Sequence, residues 1–280
     1  LTVAFCFLIC NSYGQNEMNS TKQAIIASVE KHKANLIKIS DEIWALAETA
    51  FEEDKSSKLL ADYAEEQGFT VERGVAGMPT AFVATYGSGK PVISVLGEFD
   101  ALPGLSQQAI AEKKSAGEEA GHACGHHLFG TASTAAAISV KSWLKENNQQ
   151  GTIRFYGCPA EEGGGGKVYM TREGLFNDVD IVINWHPSSQ NSANPRIALA
   201  NKSAKFRFYG ISAHASGAPE KGRSALDAVE AMNVMVNMMR EHIPQEAGIH
   251  YVITDGGKAP NVVPDFAEVY YYARHPERDQ

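Results

Sequence analysis

The sequence has few cysteines and lacks any block of like charges, internal repeat or low-complexity tract. Only four of its 280 residues are cysteine. Cys6 and Cys10 lie near the N-terminal end, and the remaining two, Cys124 and Cys158, are too few for a disulfide framework. A net charge of −8 disfavours a nucleic-acid or anionic-membrane partner. The length allows one large domain or two smaller ones with a sizeable core.

The N-terminal end has the pattern of an export signal. A short, mainly apolar run is followed by Ser12 and Gly14, which are small residues at the −3 and −1 positions of a cut after Gly14. The run is too short to span a bilayer. We interpret residues 1–14 as a signal-peptide remnant, which predicts a secreted or periplasmic protein. A buried N-terminal strand is the alternative, and a lipoprotein is disfavoured because Ile9, before Cys10, is not small.

Helical and strand-like patterns alternate along the first two thirds of the chain. The helical pattern covers residues 20–48, 56–67, 131–144 and 167–173, and the strand-like pattern covers residues 80–86, 92–99, 152–156 and 180–185. Strands that alternate with helices predict an α/β fold with a largely parallel sheet.

The pattern changes from residue 196 onward. Strand-like runs at residues 202–209, 250–254 and 267–273 surround a Met-rich helical pattern at 224–240. This arrangement predicts a small α+β module inserted into the larger domain. The sequence stops at Gln280, directly after the last of these strands, so we expect the rest of the first domain to be missing from it.

Residues that can bind a metal follow three of the predicted strands. These are Asp100, the pair 161–162 (Glu-Glu) and His186, and Cys124 and His126 precede the Ala-rich helix. The carboxyl ends of parallel strands share one edge of a sheet, so we expect these side chains to meet there. A thiolate and an imidazole two residues apart can bind one borderline cation. Taken singly, Asp100 is equally typical of a turn and His186 of a strand end.

Adjacent Glu161 and Glu162 cannot point the same way from an extended backbone. One can therefore bind a metal while the other takes a proton from water, which is the division that metal-assisted hydrolysis needs. A solvated acidic pair is the alternative. The four glycines that follow would let the backbone approach a ligand closely. A phosphate-binding loop is disfavoured because Val168 follows Lys167 where Ser or Thr is required.

Four short motifs occur in the order found in a known group of enzymes. They are residues 98–103 (Glu-Phe-Asp-Ala-Leu-Pro), 124–126 (Cys-Gly-His), 159–163 (Pro-Ala-Glu-Glu-Gly) and 185–187 (Trp-His-Pro). Together they resemble the two-metal amidohydrolases and peptidases of the aminoacylase, carboxypeptidase G and indole-acetyl-amino-acid hydrolase family, in particular its p-aminobenzoyl-glutamate hydrolase-like members. The resemblance spans about residues 37–274.

The resemblance implies a fold and a set of roles. It implies a di-zinc peptidase-like domain, of which residues 15–195 are the N-terminal part, and an incomplete lid or dimerisation domain at residues 196–280. The sheet of the first domain would be mixed, mostly parallel and flanked by helices. The implied ligands of two divalent ions, Zn or Mn, are Cys124, His126, Glu162 and His186. Glu161 would be the general acid/base, and Asp100 would orient the metal centre.

The same resemblance extends to the second module. His214 matches a histidine that reaches the partner subunit's active site and stabilises the oxyanion, which implies a homodimer. Asn261 and Arg274 match positions that bind the substrate's carboxylate, for which a guanidinium is suited. Read singly, these three are also typical of a loop, a turn and a surface charge. Some relatives have a ligating His where Glu98 stands, and a last His ligand comes from the C-terminal part.

These observations predict a metal-dependent amidohydrolase. Its substrates would be N-acyl or N-aroyl amino acids, of the p-aminobenzoyl-glutamate type, or dipeptides. The first alternative is a thiol-dependent hydrolase with Cys124 as nucleophile, activated by His126 or His127. The second is a non-catalytic metal- or peptide-binding module. No nucleic-acid or membrane partner is expected.

Overall fold

The computed structural model describes residues 19–193 and 198–279. The chain divides into two compact units between Ser189 and Gln190. The predicted signal remnant at residues 1–14 and the predicted domain boundary after residue 195 lie outside the described residues. No helix in the described part of the chain is long and apolar enough to cross a membrane.

The described residues of the first unit, from residue 19 onward, form four helices and seven strands. The helices are α1 (Ser20–Leu46), α2 (Asp54–Glu66), α3 (His126–Glu146) and α4 (Gly166–Arg172), with a 3-10 turn at Val75–Gly77. The strands are β1 (Thr70–Arg73), β2 (Phe82–Ser88), β3 (Val92–Glu98), β4 (Leu102–Pro103), β5 (Ala120–Gly121), β6 (Gly151–Cys158) and β7 (Ile181–Ile183). The pattern of the sequence had indicated neither β1 nor the short β4–β5 pair.

Five of these strands form one mixed sheet in the order β1-β2-β6-β3-β7. The pairs β3–β6 and β3–β7 are parallel, whereas β1–β2 and β2–β6 are antiparallel. The predicted mixed sheet flanked by helices is confirmed, with its parallel part confined to the strands that lead to the predicted site. In the β3–β6 register Glu98 lies opposite Cys158, so both strands end at the same level.

The two faces of this sheet bury different side chains because successive residues of a strand point to opposite sides. On β6, Phe155 packs in the core formed with α1, α2 and α3, whereas Tyr156 packs with Met170 of α4 on the other face. On β3, Val95 and Leu96 divide in the same way. The sheet is therefore held between helices on both faces.

Helix α3 begins five residues before the predicted start at residue 131. Gly125 precedes it with φ 75°, a left-handed conformation that glycine adopts without a steric penalty. His126 consequently lies in the first turn and not before the helix. The Ala-rich pattern could not show this turn, because its residues carry polar and aromatic side chains that weaken the helical signal.

The part of the second unit that the structure describes is a three-stranded antiparallel sheet with one longer helix. The strands are β8 (Ala200–Tyr209), β9 (Gly248–Asp255) and β10 (Phe266–His275), in the order β8-β10-β9. Helix α5 (Ala225–Met239) packs against β10 and β8, and 3-10 turns cover Pro219–Lys221 and Arg240–His242. Its core contains Ala225, Val229, Ala267, Val269 and Tyr271. This is the α+β composition that the sequence predicts for the module.

Glu268 anchors a polar cluster on this sheet. It lies opposite Arg207, whose Nε donates to Oε2 at 2.6 Å, and Thr254 Oγ1 donates to Oε1 at 2.8 Å. Lys205 Nζ lies 3.5 Å from Oε1. The hydrogen bonds from Arg207 and then Thr254 lower the pKa of Glu268 to about 2. The folded unit therefore favours the ionised carboxylate.

We expect E268Q to lower the thermal unfolding midpoint at pH 7. Because the folded pKa of about 2 lies below the ordinary value of 4.5, the ionised group stabilises the fold above pH 4.5 and loses this effect as the pH falls toward 2. The difference in midpoint between wild type and E268Q should therefore narrow over that interval. The control is E246Q, at an exposed residue of the same unit. A difference that does not change with pH would contradict this role of the carboxylate.

Candidate metal centre

The ends of the parallel strands bring the predicted donors together. Asp100 lies two residues beyond β3, His186 follows β7, and Glu161 and Glu162 follow β6, while Cys124 and His126 lie at the start of α3. Cys124 Sγ and one imidazole nitrogen each of His126 and His186 lie within 4.8 Å of one another. The first unit therefore places a thiol, two imidazoles and several carboxylates at one edge of its sheet.

Asp100 sets the proton position on His126. The imidazole is almost fully buried, and its Nδ1 lies 2.9 Å from both Oδ1 and the backbone oxygen of Asp100. Burial opposes the charge of Asp100, but hydrogen bonds from His126 and the Glu162 backbone hold its pKa below the usual range. Ionised Asp100 can only accept a hydrogen bond, so Nδ1 carries the proton. The lone pair of Nε2 then faces the other side chains that could bind a metal. The second oxygen, Oδ2, accepts from the backbone N–H of Glu162 at 2.8 Å.

Both adjacent glutamates face His126, which differs from the expectation for an extended backbone because the two residues lie in a turn. Glu161 Oε2 lies 3.7 Å and Glu162 Oε1 lies 3.9 Å from its Nε2. Their exposure differs, since the side chain of Glu161 is 34% exposed and that of Glu162 is 18% exposed. The less exposed Glu162 also lies beside the Cys124 thiol and contributes to raising its pKa.

The donor set fits a divalent cation. Glu98 Oε2, His126 Nε2 and Glu162 Oε1 are buried and have no hydrogen-bond partner among the described residues. A buried polar atom without a partner is destabilising, and each of these atoms offers a lone pair. Sulfur, nitrogen and carboxylate oxygen together are ligands for a borderline ion such as Zn²⁺. The first unit therefore contains a group of side chains able to bind a metal.

Acidic groups dominate the electrostatics of this cluster. Burial, then the hydrogen bond and charge of Glu162, raise the pKa of Cys124 to about 12. Burial and the charge of Glu98 raise the pKa of Glu161. Burial alone would lower the pKa of His126, but Asp100 and Glu98 outweigh it and raise that pKa. A positive charge is therefore favoured among these side chains.

The sequence alone indicated no role for Lys167 at the site, and it marked Glu98 only as the position at which some relatives have a ligating His. Glu98 is 2% exposed and forms a close ion pair with Lys167 Nζ, the second residue of α4. The strand pattern could have indicated Glu98, because it lies two residues before Asp100 and therefore on the same side of an extended chain. No signal short of the tertiary structure connects Lys167 with the end of β3.

The four glycines at residues 163–166 serve the local packing. A Cβ on Gly166 would lie 2.1 Å from the backbone oxygen of Pro159, and one on Gly164 would lie 2.5 Å from the Cβ of Ala160. The close approach expected from these glycines is thus between the start of α4 and the turn that carries Glu161. It brings Lys167 beside that turn.

Glu53 fixes the same turn from a distant part of the chain. This side chain is fully buried, and its Oε1 accepts from the backbone N–H groups of Ala160 at 2.7 Å and Phe51 at 3.0 Å. Ala160 and Phe51 have φ values of 55° and 67°, a left-handed conformation that is unfavourable for non-glycine residues. Glu53 therefore stabilises the backbone conformation that orients Glu161.

In the second unit, His214 and Asn261 lie close together and Arg274 lies apart. His214 Nδ1 accepts from the backbone N–H of Gly217 at 3.0 Å, so its proton is on Nε2. The backbone oxygen of Asn261 accepts from Ala215 N at 3.0 Å. Arg274 stacks on Tyr272 near the end of β10. Arg274 lies eight residues along β10 from Phe266, at which the strand begins. At the rise of an extended strand this separates Arg274 from Phe266 by about 27 Å.

We expect E53A to lower the free energy of unfolding by about 2–4 kcal/mol, because two buried backbone N–H groups lose their acceptor. E53Q keeps an acceptor oxygen and should lose about 1 kcal/mol or less. Urea unfolding followed by circular dichroism measures both values. The matched control is E52A, at the exposed neighbouring residue. Equal losses in E53A and E52A would show that Glu53 does not support the turn.

Comparison with known proteins agrees with this site. Peptidase family M20/M25/M40 matches residues 94–270, more than half of the chain. One of the subunits of p-aminobenzoyl-glutamate hydrolase from Escherichia coli (strain K12) is 52% identical over 254 residues, 89% of this chain and 53% of that protein. The Xaa-Arg dipeptidase of Mus musculus is 30% identical over 273 residues, 93% of this chain and 59% of that protein.

The chain thus spans a little over half the length of these curated relatives. A solved structure, the aminobenzoyl-glutamate utilization protein from Klebsiella pneumoniae, shares the fold with a TM-score of 0.60 at 19% identity. The match covers 91% of this chain and 70% of that one. Motif order, donor geometry and the family match lead to one conclusion: the chain belongs to peptidase family M20/M25/M40.

Proposed function

We propose that the protein is a metal-dependent amidohydrolase. Its substrates would be N-acyl or N-aroyl amino acids, of the p-aminobenzoyl-glutamate type, or dipeptides. The observation that carries this proposal is the surroundings of His126 Nε2. Glu98 Oε2 and Glu162 Oε1 are buried near it without a hydrogen-bond partner among the described residues, and the partly exposed Glu161 lies beside it. The names of two relatives, a p-aminobenzoyl-glutamate hydrolase and a dipeptidase, support hydrolysis of an amide bond.

The proposed cofactor is a pair of divalent ions, Zn or Mn. Cys124, His126, Glu162 and His186 would hold them. A divalent cation lowers the pKa of a bound water and polarises a carbonyl oxygen. Asp100 acts through His126, because its hydrogen bond keeps the Nε2 lone pair directed at the site.

Glu161 is the proposed general base. It takes a proton from water at its carboxylate and returns it to the leaving amine. Its greater exposure and its raised pKa suit proton exchange with a substrate, whereas Glu162 is held by its backbone bond to Asp100 and by Cys124. We therefore assign the proton-transfer role to Glu161 and the metal-ligand role to Glu162, two neighbouring residues of one turn.

His214 is the proposed donor to the oxyanion of the scissile carbonyl. Gly217 fixes its tautomer, so Nε2 carries a proton that it can donate. Asn261 and Arg274 are proposed to bind the free carboxylate of the substrate from different subunits of the proposed homodimer, because the two residues lie apart within one unit. A homodimer through the second unit is also proposed, supported by the exposed Val234, Met235 and Met238 on α5. Export to the periplasm or the medium is proposed from residues 1–14.

A thiol-dependent hydrolase is the less favoured function. Reactive cysteines lie in electropositive surroundings that lower their pKa. Cys124 instead lies beside Glu162 and Glu161, and burial with these charges raises its pKa to about 12. This environment suits a metal ligand better than a nucleophile. A non-catalytic binding module would bind metal and a ligand without hydrolysis.

We expect E161Q and E162Q to separate the two acidic roles in the natural full-length protein. E161Q should bind Mn²⁺ as the wild type does and lose turnover by about 100-fold or more, because the proton acceptor is gone. E162Q should weaken Mn²⁺ binding. Metal titration and hydrolysis of p-aminobenzoyl-glutamate and a dipeptide panel measure both effects. Retained turnover in E161Q would contradict the assignment.

A chelator and a thiol reagent distinguish the two enzymatic functions. Treatment with a chelator should abolish hydrolysis, and Zn²⁺ or Mn²⁺ should restore it. If the thiol were the nucleophile, the enzyme would resist the chelator, and an alkylating reagent would block it irreversibly. Metal binding without hydrolysis of any amide in the full-length protein would instead favour the binding module.

A further inference from the structure

The two oxygens of Glu98 have different surroundings. Oε1 forms the close ion pair with Lys167 Nζ. Oε2 lies 3.2 Å from His126 Nε2 and 3.6 Å from His186 Nε2, and it has no hydrogen-bond partner among the described residues. Glu98 is thus directed at the same two imidazoles that the proposed centre uses.

The contact between Glu98 and His126 needs a positive charge. Because Asp100 fixes the proton of His126 on Nδ1, Nε2 presents a lone pair to the Oε2 oxygen. Two lone pairs that face each other in a buried site repel unless a proton or a cation lies between them. A proton on Nε2 would link only these two atoms. A cation can bind His186 as well, and one oxygen of Glu98, one of Glu161 and one nitrogen of each histidine lie within 4.8 Å of one another.

The packing leaves this arrangement little freedom. A Cβ on Gly130 of α3 would lie 2.9 Å from the backbone oxygen of Glu98. A Cβ on Gly97 would lie 2.6 Å from the Phe155 ring. The end of β3 therefore lies directly against the first turns of α3, which carry His126. Lys167 adds a second restraint, because it occupies Oε1 and leaves only Oε2 for the site.

We infer that Glu98 is a further cation ligand of this centre, through Oε2, and that the positive charge of Lys167, paired with Oε1, lowers the affinity of the centre for a cation. The inference rests on the proposed function, since it adds a carboxylate to the proposed ligand set of Cys124, His126, Glu162 and His186. The ammonium group of Lys167 also offsets one negative charge of the acidic cluster. Lys167 therefore weakens the attraction of the site for a cation.

The test compares Mn²⁺ affinity in E98Q, K167M and K167R of the natural full-length protein. Free Mn²⁺ is measured by electron paramagnetic resonance, with MnCl₂ as the only added ligand. E98Q should bind about 10- to 100-fold more weakly, because it loses a charged oxygen of the site. K167M should bind at least about fivefold more tightly, because a nearby positive charge is removed. K167R keeps the charge and should stay within about threefold of the wild type.

E98Q is expected to weaken Mn²⁺ binding and K167M to strengthen it. These opposite changes distinguish a ligand role from a structural one, because misfolding would weaken Mn²⁺ binding in both variants. K58M is the matched control, since it breaks the Lys58–Asp62 pair on the exposed face of α2. Thermal unfolding confirms that each variant is folded. Mn²⁺ affinity in E98Q within about threefold of the wild type overturns the assignment of Glu98, and weaker binding in folded K167M overturns the role of Lys167. If the wild type binds neither Mn²⁺ nor Zn²⁺, the proposed function falls together with this inference.

Discussion

The hydrogen bond between Asp100 and His126 Nδ1 is the interaction on which the candidate centre depends. Without it the buried imidazole could carry its proton on Nε2, and the lone pair that faces Glu98, Glu161 and Glu162 would be lost. The same carboxylate holds the backbone of Glu162 through its second oxygen. One aspartate therefore orients an imidazole on α3 and a carboxylate beyond β6.

This arrangement requires unusually close packing around the strand ends. Gly97, Gly130 and Gly157 lie where a Cβ would lie within 3 Å of an aromatic ring or a backbone atom. Their absent side chains allow α3 and β2 to approach the parallel strands. Glu53 and the glycines of residues 163–166 then hold the turn beyond β6 in a conformation that non-glycine residues adopt at a cost. The supports of the centre thus come from several separate segments of the chain.

The cluster of metal-binding side chains concentrates negative charge in a partly buried site, and this charge affects both its pKa values and its affinity for cations. Carboxylates raise the pKa values of Cys124 and Glu161, with burial as the larger cause, and Lys167 offsets part of the charge. Such a cluster opposes folding unless protons or cations reside in it. Affinity for a cation and the pKa of the general base are therefore consequences of one charge distribution, and the proposed hydrolysis uses both.

The sequence by itself determined the order of elements and the chemical type of the site. Strand periodicity located β3, β6 and β7, and their polar ends located Asp100, Glu161 and His186, because side-chain alternation and the rule of carboxyl-end clefts are local or topological. The resemblance in four short motifs indicated the family, and the family match confirmed it. The ligand roles and the export signal stay predictions.

Only the tertiary structure decided the contacts between distant segments. Glu53 meets Ala160 across 107 positions, and Lys167 meets Glu98 across 69. No local pattern encodes such pairs, because they depend on how α2, α4 and the strand ends pack. The same holds for the antiparallel edge formed by β1 and β2, since the sequence pattern of a strand does not reveal the direction of its neighbour. Periodicity follows from each residue's own backbone, whereas a contact follows from the free energy of the whole core.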